Sequence, residues 1–396
     1  MAVSTSEHVL APVQQRGQDA LSRLGLPTRK DEAWRLTNLS RLEAVARMPI
    51  SSVATASDAP PRMDGVVRLV LDGVNDPLEG VTLPDGLTPL DPKELELALG
   101  HSLDRCGWSD DWLIEFNHAS AHQLLALRVR GTVPPLELVV AAASGLIATR
   151  VLLVVEEKAQ LELLQVFSGR GEAAHSHLLE VHLGQEAQLN HGVLACADGV
   201  ASLFAQLAVE QEPRSAYSLT SVVQGWSLGR IEPRVVQVDG QASTTLKGLA
   251  VADAEQQLAV HTSMCFEGPD GELDQLQKCL AAGRSHTIFN GAINVPRRAQ
   301  RTNAAQLSRN LLLSDRARVD TKPELEIVAD DVRCAHGATV SQLQEDELFY
   351  LRSRGIGASD AAVRLLRGAC QEVVDLVPTH ASAWRPLERV LEGLAS

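Results

Sequence analysis

Aromatic residues are scarce in this chain: 5 Trp, 6 Phe and 2 Tyr among 396 residues. Few ring platforms remain on which a sugar or a base could stack, and the core must be built from Leu, Val and Ala. Positive charge is short as well. Thirty-six Lys and Arg face 50 Asp and Glu, a net charge of −14, which argues against nucleic acid or an anionic membrane surface as the main partner. The most apolar run, residues 138–149 between Glu137 and Arg150, is about twelve residues, too short to cross a bilayer. Residues 1–17 carry one Arg, one Glu and no apolar stretch, so they resemble neither a secretory signal nor a transit peptide.

Six cysteines (106, 196, 265, 279, 334, 370) are scattered without a Cys-x-x-Cys. A disulfide framework is therefore not expected, and a reducing, cytoplasmic setting is. No Gly-x-x-x-x-Gly-Lys-Ser/Thr loop occurs, so a partner must supply any energy of nucleotide hydrolysis. Gly355-Ile356-Gly357 imitates a dinucleotide fingerprint, but it follows a helical pattern and has Asp360 where the third Gly belongs. No Gly-x-Ser-x-Gly, His-Glu-x-x-His or paired-carboxylate signature is present.

What is there divides into three regions: 1–118, 119–340 and 341–396. Residues 9–26 read as an amphipathic helix closed by Gly25 and Pro27. The charged stretch Arg29-Lys30-Asp31-Glu32-Ala33-Trp34-Arg35-Leu36-Thr37 follows, with Trp34 as an anchor into the body. Residues 51–61 read as a linker, 66–90 as a few strands, and 93–103 and 110–126 as helices. From about 124 to 340 the chain is almost entirely short strand-like segments. A polar–Ala–x–apolar unit precedes many of them, as in Lys158-Ala159-Gln160-Leu161 and Glu186-Ala187-Gln188-Leu189. Ala187, Ala201 and Ala216 are spaced by 14 and 15 residues, and Ala159 lies 28 before Ala187. Such a repeat marks a stacked architecture, and strands without helices between them suit a parallel β-helix. On pattern alone a β-sandwich accounts for many short strands equally well. Past Gly337 the pattern turns helical. Residues 345–354 end at Gly355, Ser359 caps a second helix carrying Leu365, Leu366, Ala369, Val373 and Val377, Pro378 stops it, and 383–394 form a last helix. These helices are expected to close the end of the stack.

The chemistry concentrates at Cys334-Ala335-His336-Gly337. Alternation over residues 324–333 predicts a half-buried strand, and side chains two apart on a strand share a face. Cys334 and His336 then point the same way, with Gly337 permitting a bend or close approach. Thiolate and imidazole suit zinc, copper and iron–sulfur centres, yet two donors do not complete a site that usually needs four. A lone Cys-x-His in a strand more often packs a core. The longer block distinguishes the cases. Ala-Asp-Asp-Val-Arg-Cys-Ala-His-Gly-Ala-Thr-Val, with Leu-Phe-Tyr-Leu-Arg-Ser-Arg-Gly-Ile after it, resembles the C-terminal signature of the SufB/SufD family of SUF iron–sulfur cluster assembly scaffolds. The Cys-x-His-Gly-Ala-Thr form is similar to the SufD side of that family. The resemblance covers residues 322–366 and, more weakly, 29–42, where Glu32-Ala33-Trp34-Arg35-Leu36-Thr37 is similar to a family Glu-x-Trp-x-x-Thr segment.

The resemblance implies a right-handed parallel β-helix core flanked by N-terminal and C-terminal helical domains, and a non-catalytic scaffold. It implies a SufB-like partner at the end of the solenoid and a SufC ATPase docked on the helical tail, with Leu348, Phe349, Tyr350, Arg354, Leu365 and Leu366 as contacts. His336 is the first candidate ligand or relay residue for a nascent cluster, and Cys334 the second. The expectation is no tightly bound cofactor, only a transient Fe–S cluster (iron and sulfide) in the complex with SufB. A homodimer is plausible for the isolated chain. Ala335 departs from the Ser more usual in the family, removing a hydrogen bond but no ligand.

His175 and His177 also lie two apart, but Glu172, Ala173, Ala174 and Ser176 around them suggest a solvent-facing turn rather than a metal site. The competing class is a β-helix carbohydrate-active enzyme, a lyase or hydrolase. Such enzymes tend to be secreted and rich in aromatic subsites, and this chain has neither mark.

Overall fold

Strands of seven to eleven residues, buried on the inner face in all but the last two, follow one another from Gln123 to Ser341 in a computed structural model of the chain. The structure describes residues 5–55, 58–108 and 111–395. Residues 1–4 of the expected signal-free start, 56 and 57 of the expected linker, and Asp110 at the start of an expected helix lie outside them. The strands alternate between two nine-stranded sheets. One runs from Val67–Leu71 through Leu136–Ala142 to Arg333–Ser341. The other runs from Leu87–Pro89 and Gln123–Val129 to Arg318–Ile327. All neighbours are parallel except Leu87–Pro89, which pairs antiparallel with Gln123–Val129. This is the parallel β-solenoid, with helices on both of its flanks.

The repeat legible in the sequence is half a coil. Gln160, Gln188 and Ala216 stand side by side in register, 28 residues apart. Ala159 and Ala187 occupy the same corner on successive coils, and Ala201 the opposite corner, its carbonyl bonded by Ser227. Ser215 rather than Ala216 continues the first column: Ser215 is buried and Ala216 exposed. The corner has a fixed chemistry. Lys158, Glu186, Arg214, Gln241, Asp270 and Arg301 all take positive φ near 60°, a conformation that L residues adopt only when surroundings enforce it. Each is followed by a small buried residue, Ala159, Ala187, Ser215, Ala242, Gly271 or Thr302. The carbonyl of that residue accepts a backbone bond from the next coil, from Gln188, Ala216, Ser243, Glu272, Asn303 and Arg333 in turn. The corner side chains point outward and pair between coils, Arg214 with Glu186 at 2.9 Å and Arg301 with Asp270 at 2.6 Å.

Two strands escape sequence alternation, Ala216–Gln224 and Glu272–Ala281. Their outer faces lie under helices, so polar residues there are buried and bonded. Thr220 Oγ1 donates to the Leu376 carbonyl, Gln224 to that of Arg389, and Lys278 to that of Ala369. The expected helix 110–126 is likewise shorter, Trp112–Ser120, because Gln123–Val129 joins the second sheet. The expected helix 93–103 is two, Pro92–Ala98 and His101–Arg105, parted by Gly100 at φ 87°.

Thr5–Leu24, Leu39–Ala46 and Trp112–Ser120 serve the second sheet, where Trp34, Trp112 and Phe116 pack with Leu146, Phe204 and Leu228. The C-terminal helices do not close the end of the stack as expected. Ala358–Val374 and Pro386–Ala395 turn back along the flank of the first sheet, setting Cys370, Val373, Trp384 and Val390 against Val139, Leu164, Leu194, Val222 and Leu249. The reason is the apolar outer face of that sheet, which water would otherwise meet. Ser359 caps nothing: the helix begins at Ala358 behind Gly357, with no side-chain cap bond. Gly355, at φ 85°, follows the Glu345–Ser353 helix.

His175 and His177 are not on a solvent-facing turn. Both lie in the strand Ala173–Leu183 and are fully buried in the solenoid interior. The Tyr217 hydroxyl donates to His191 Nδ1 (3.1 Å), and His191 Nε2 donates to Gln165 Oε1 (3.0 Å). Gln165 Nε2 donates to His177 Nε2 (2.9 Å), and His177 Nδ1 donates to Thr149 Oγ1 (2.8 Å). His175 Nε2 donates to the Ser168 carbonyl. The network runs one way with every imidazole neutral. Burial pushes His175 down to about 4 and His177 and His191 to about 3. The unfolded chain binds these protons below pH ~6.5, whereas the folded chain resists until near pH 4. This stability is complete above pH ~6.5 and is lost as pH falls, by about 2 kcal/mol per histidine at pH 5. The unfolding midpoint should therefore drop between pH 7 and pH 5. His191→Leu, less stable throughout, should show a shallower drop; an unchanged slope would place the acid lability elsewhere.

Candidate functional site

The solenoid stops at a coil that nothing continues. Among the described residues Arg318–Ile327 pairs only with His286–Val295, and Arg333–Ser341 only with Asn303–Leu312, so each sheet ends there on an unpaired edge. The continuous strand expected over 324–333 is in fact a corner: the second-sheet strand ends at Ile327 and the first-sheet strand opens at Arg333. Ala329 is buried between them, and Arg333 N bonds the Thr302 carbonyl. A corner without the positive-φ residue of earlier coils thus splits what looks like one alternating run.

Cys334 pairs in register with Ala304, and His336 with Gln306. Ala304 and Gln306 are both 2% exposed and face the interior, so Cys334 and His336 share that inward column, as their spacing predicts. They differ in surroundings. Cys334 is half-buried against the core, and burial pushes its thiol up from the ordinary range. His336 is exposed, because no further coil covers it. Gly337 makes no bend, and the strand runs on to Ser341; a Cβ there would meet Leu307 Cδ1 at 3.3 Å. Ile327, Val328 and Val340 are exposed apolar residues on this coil, beside the charged residues of the Arg318–Ile327 edge. Among the described residues no group of three His, Cys, Asp or Glu stands close enough to hold a metal ion. A four-donor site at this face would draw on a second chain.

The two separate stretches that resemble the SufB/SufD family meet. Lys322 Nζ binds Glu32 at 2.7 Å across 290 residues. Trp34 is buried as an anchor, edge-on to Trp112 at 5.9 Å and beneath Arg230 at 4.7 Å. Gln257 holds the segment from both sides, donating to the Leu36 carbonyl and accepting from Asn38 N. Behind it, His286 Nε2 lies 2.6 Å from Asp320, tying the edge strand Arg318–Ile327 to its neighbour.

The helix Glu345–Ser353 has no buried residue. Phe349 is 71% and Tyr350 57% exposed, and the Arg354 guanidinium stands 5.2 Å over the Tyr350 ring. Leu348 and Leu365 are half-buried, and Leu366 packs into the cluster beneath Ala358–Val374. Val363, in the 361–366 stretch that the family resemblance also implies as a contact, is exposed as well. Sequence reasoning missed the interior amides Gln275 and Gln306 behind His336; only register reveals that they share its column.

The sequence profile of the family described as SUF system FeS cluster assembly, SufBD core domain, matches residues 138–369, more than half of the chain. An iron-sulfur cluster assembly SufBD family protein of Synechocystis is 29% identical over 96% of this chain and 90% of its own length. The chloroplastic protein ABCI7 of Arabidopsis thaliana is 31% identical over 96% of this chain and 85% of its own. Iron-sulfur cluster assembly protein SufD of Escherichia coli is 27% identical over 97% and 93%. With its thiol held protonated and half-covered, Cys334 should alkylate with iodoacetamide several-fold more slowly than a free cysteine at pH 7.5. A rate equal to that of a free cysteine would show that the last coil opens.

Proposed function

The chain belongs to the SufBD core family of the SUF system of FeS cluster assembly, and from that premise we propose that it works as a SufD-like scaffold without catalytic activity of its own. In this reading a SufB-like subunit closes over the open end of the solenoid. Nascent iron and sulfide are cargo held between the two subunits, with His336 as a ligand or relay and Cys334 behind it. A neutral imidazole can offer one nitrogen to iron while a hydrogen bond fixes the other. No cofactor stays tightly bound to the chain alone. A SufC ATPase docks on the exposed helix Glu345–Ser353, through Leu348, Phe349, Tyr350 and Arg354 with Leu365 and Leu366 nearby, and its ATP hydrolysis opens the pair. Without SufB, a second copy of this chain can take the same edge. The setting is the cytosol, in keeping with six unpaired thiols.

The observation that carries the reading is that His336 is exposed on the last strand of a coil whose two sheets both end unpaired. An unpaired edge with exposed apolar residues is a surface that another chain's strand can extend. The E. coli relative, SufD, aligns over nearly its whole length, which favours the SufD side of the family.

Two measurements test this. His336→Ala, at an exposed position, should leave stability within about 0.5 kcal/mol yet abolish cluster formation by the assembled complex; normal cluster yield would remove His336 from the mechanism. Phe349→Ala with Tyr350→Ala should weaken co-purification of the ATPase roughly tenfold or more while the SufB-like chain still co-purifies. Full retention of the ATPase would move the docking surface elsewhere.

A further inference from the structure

Inside the last coils the solenoid changes character. Near its start the column that ends at His336 is mostly apolar, with Leu163, Leu219 and Leu246 in register around His191. From Gln275 onward it is polar: Gln275, Gln306 and His336 stand side by side on successive coils. The two amides are bonded head to tail. Gln275 Nε2 donates to Thr262 Oγ1 at 2.8 Å, and Gln306 Nε2 donates to Gln275 Oε1 at 2.8 Å. Both side chains are at least 97% buried. Packing holds Gln306 in place: a Cβ on Gly291 would stand 2.4 Å from its amide nitrogen, so only glycine leaves room for it there. Each amide nitrogen of this ladder therefore donates back into the solenoid. Its last carbonyl, Gln306 Oε1, is buried and has no hydrogen-bond partner.

A buried acceptor without a donor costs far more than an ordinary hydrogen bond returns. The residue in register on the open side is His336, whose neutral ring carries one N–H and one lone pair. We propose that Gln306 is a positioning residue for His336: its carbonyl accepts the proton of the inward ring nitrogen and so fixes one tautomer, leaving the lone pair of the other nitrogen facing the open end. Resting on the reading of His336 as a ligand or relay, this explains how the ring is presented to cargo. An imidazole accepts a metal only through a nitrogen free of its proton, and the bond made by the other nitrogen decides which one that is. The amide is suited to the task because, unlike a carboxylate, it accepts this proton without charging the interior. Gln275 and Thr262 act through Gln306, since they hold its carbonyl outward.

The test uses the full chain alone, without metal or partner, so its result does not depend on whether His336 ever meets a cluster. Ring ¹⁵N shifts of His336, assigned by difference against His336→Ala, report the tautomer directly. In the unaltered chain one tautomer should dominate. Gln306→Met, which keeps the volume and removes the acceptor, should shift the tautomer ratio about fivefold toward that of a free imidazole, the weight of one neutral hydrogen bond. Gln306→Glu, which keeps an acceptor, should retain the original tautomer. A free-imidazole mixture in the unaltered chain overturns the proposal without any variant. So does an unchanged ratio in folded Gln306→Met. Should Gln306→Met fail to fold, Gln306→Glu decides: loss of the dominant tautomer there overturns the proposal.

Discussion

Each coil of this protein satisfies most of its strand backbone through the coil on either side. In a parallel ladder every strand exchanges backbone bonds with both neighbours, alternate residues turning their N–H and C=O to one side and then the other. The corner bonds from Gln188 to Ala159, from Ala216 to Ala187 and onward to Thr302 extend the rule through the turns. Such a stack has no internal reason to end. At Arg318–Ile327 and Arg333–Ser341 half of the backbone groups face outward, and the two edges differ in how they meet that condition. The first carries Arg318, Asp320, Lys322, Glu324 and Glu326 and leans on Glu32 of the N-terminal segment. Charges of this kind deter indiscriminate pairing. The second bears no Asp, Glu, Lys or Arg from Cys334 to Ser341. The edge that holds His336 is the one left receptive.

The interior follows a second rule in two of its polar chains, where successive donors are directed at acceptors inside the solenoid. The Tyr217–His191–Gln165–His177–Thr149 network passes its donors in one direction, so its two buried imidazoles stay neutral without an ion pair. The Thr262–Gln275–Gln306 ladder obeys the same rule until its last carbonyl, next to the open coil. The first chain ends on the Thr149 hydroxyl inside the stack, whereas the second stops one partner short beside the open coil. The scarcity of aromatics suits this arrangement, because small and aliphatic side chains leave the inner columns narrow enough for side-chain amides on adjacent coils to reach one another.

Much of the architecture was legible in the residues. Alternation marked most strands, and the 28-residue step from Ala159 to Ala187 is one full coil. What alternation could not show was anything covered on both faces. Glu272–Ala281 reads as polar because Gln275 and Gln277 turn inward into hydrogen bonds and Lys278 lies beneath a helix. Residues 324–333 alternate through a corner, since a turn with one buried alanine keeps the same period as a strand. At the candidate site the pairing of Cys334 with His336 and the anchoring role of Trp34 were readable locally. The burial of His175 and His177 was not: their inward direction is set by strands far along the chain, while their immediate neighbours are small or polar. Gln306 is invisible to any local reading for the same reason.

The returning C-terminal helices have a consequence for how the chain is made. Trp384 donates to Glu137, and His380 lies 2.7 Å from Glu162, on strands formed more than 200 residues earlier. During synthesis the outer face of the first sheet, with Val139, Leu164, Leu194 and Val222, is complete long before its cover emerges from the ribosome. A nascent or prematurely clipped chain therefore carries a greasy flank that chaperones and proteases can recognise, and only a chain read through to its final helices escapes them.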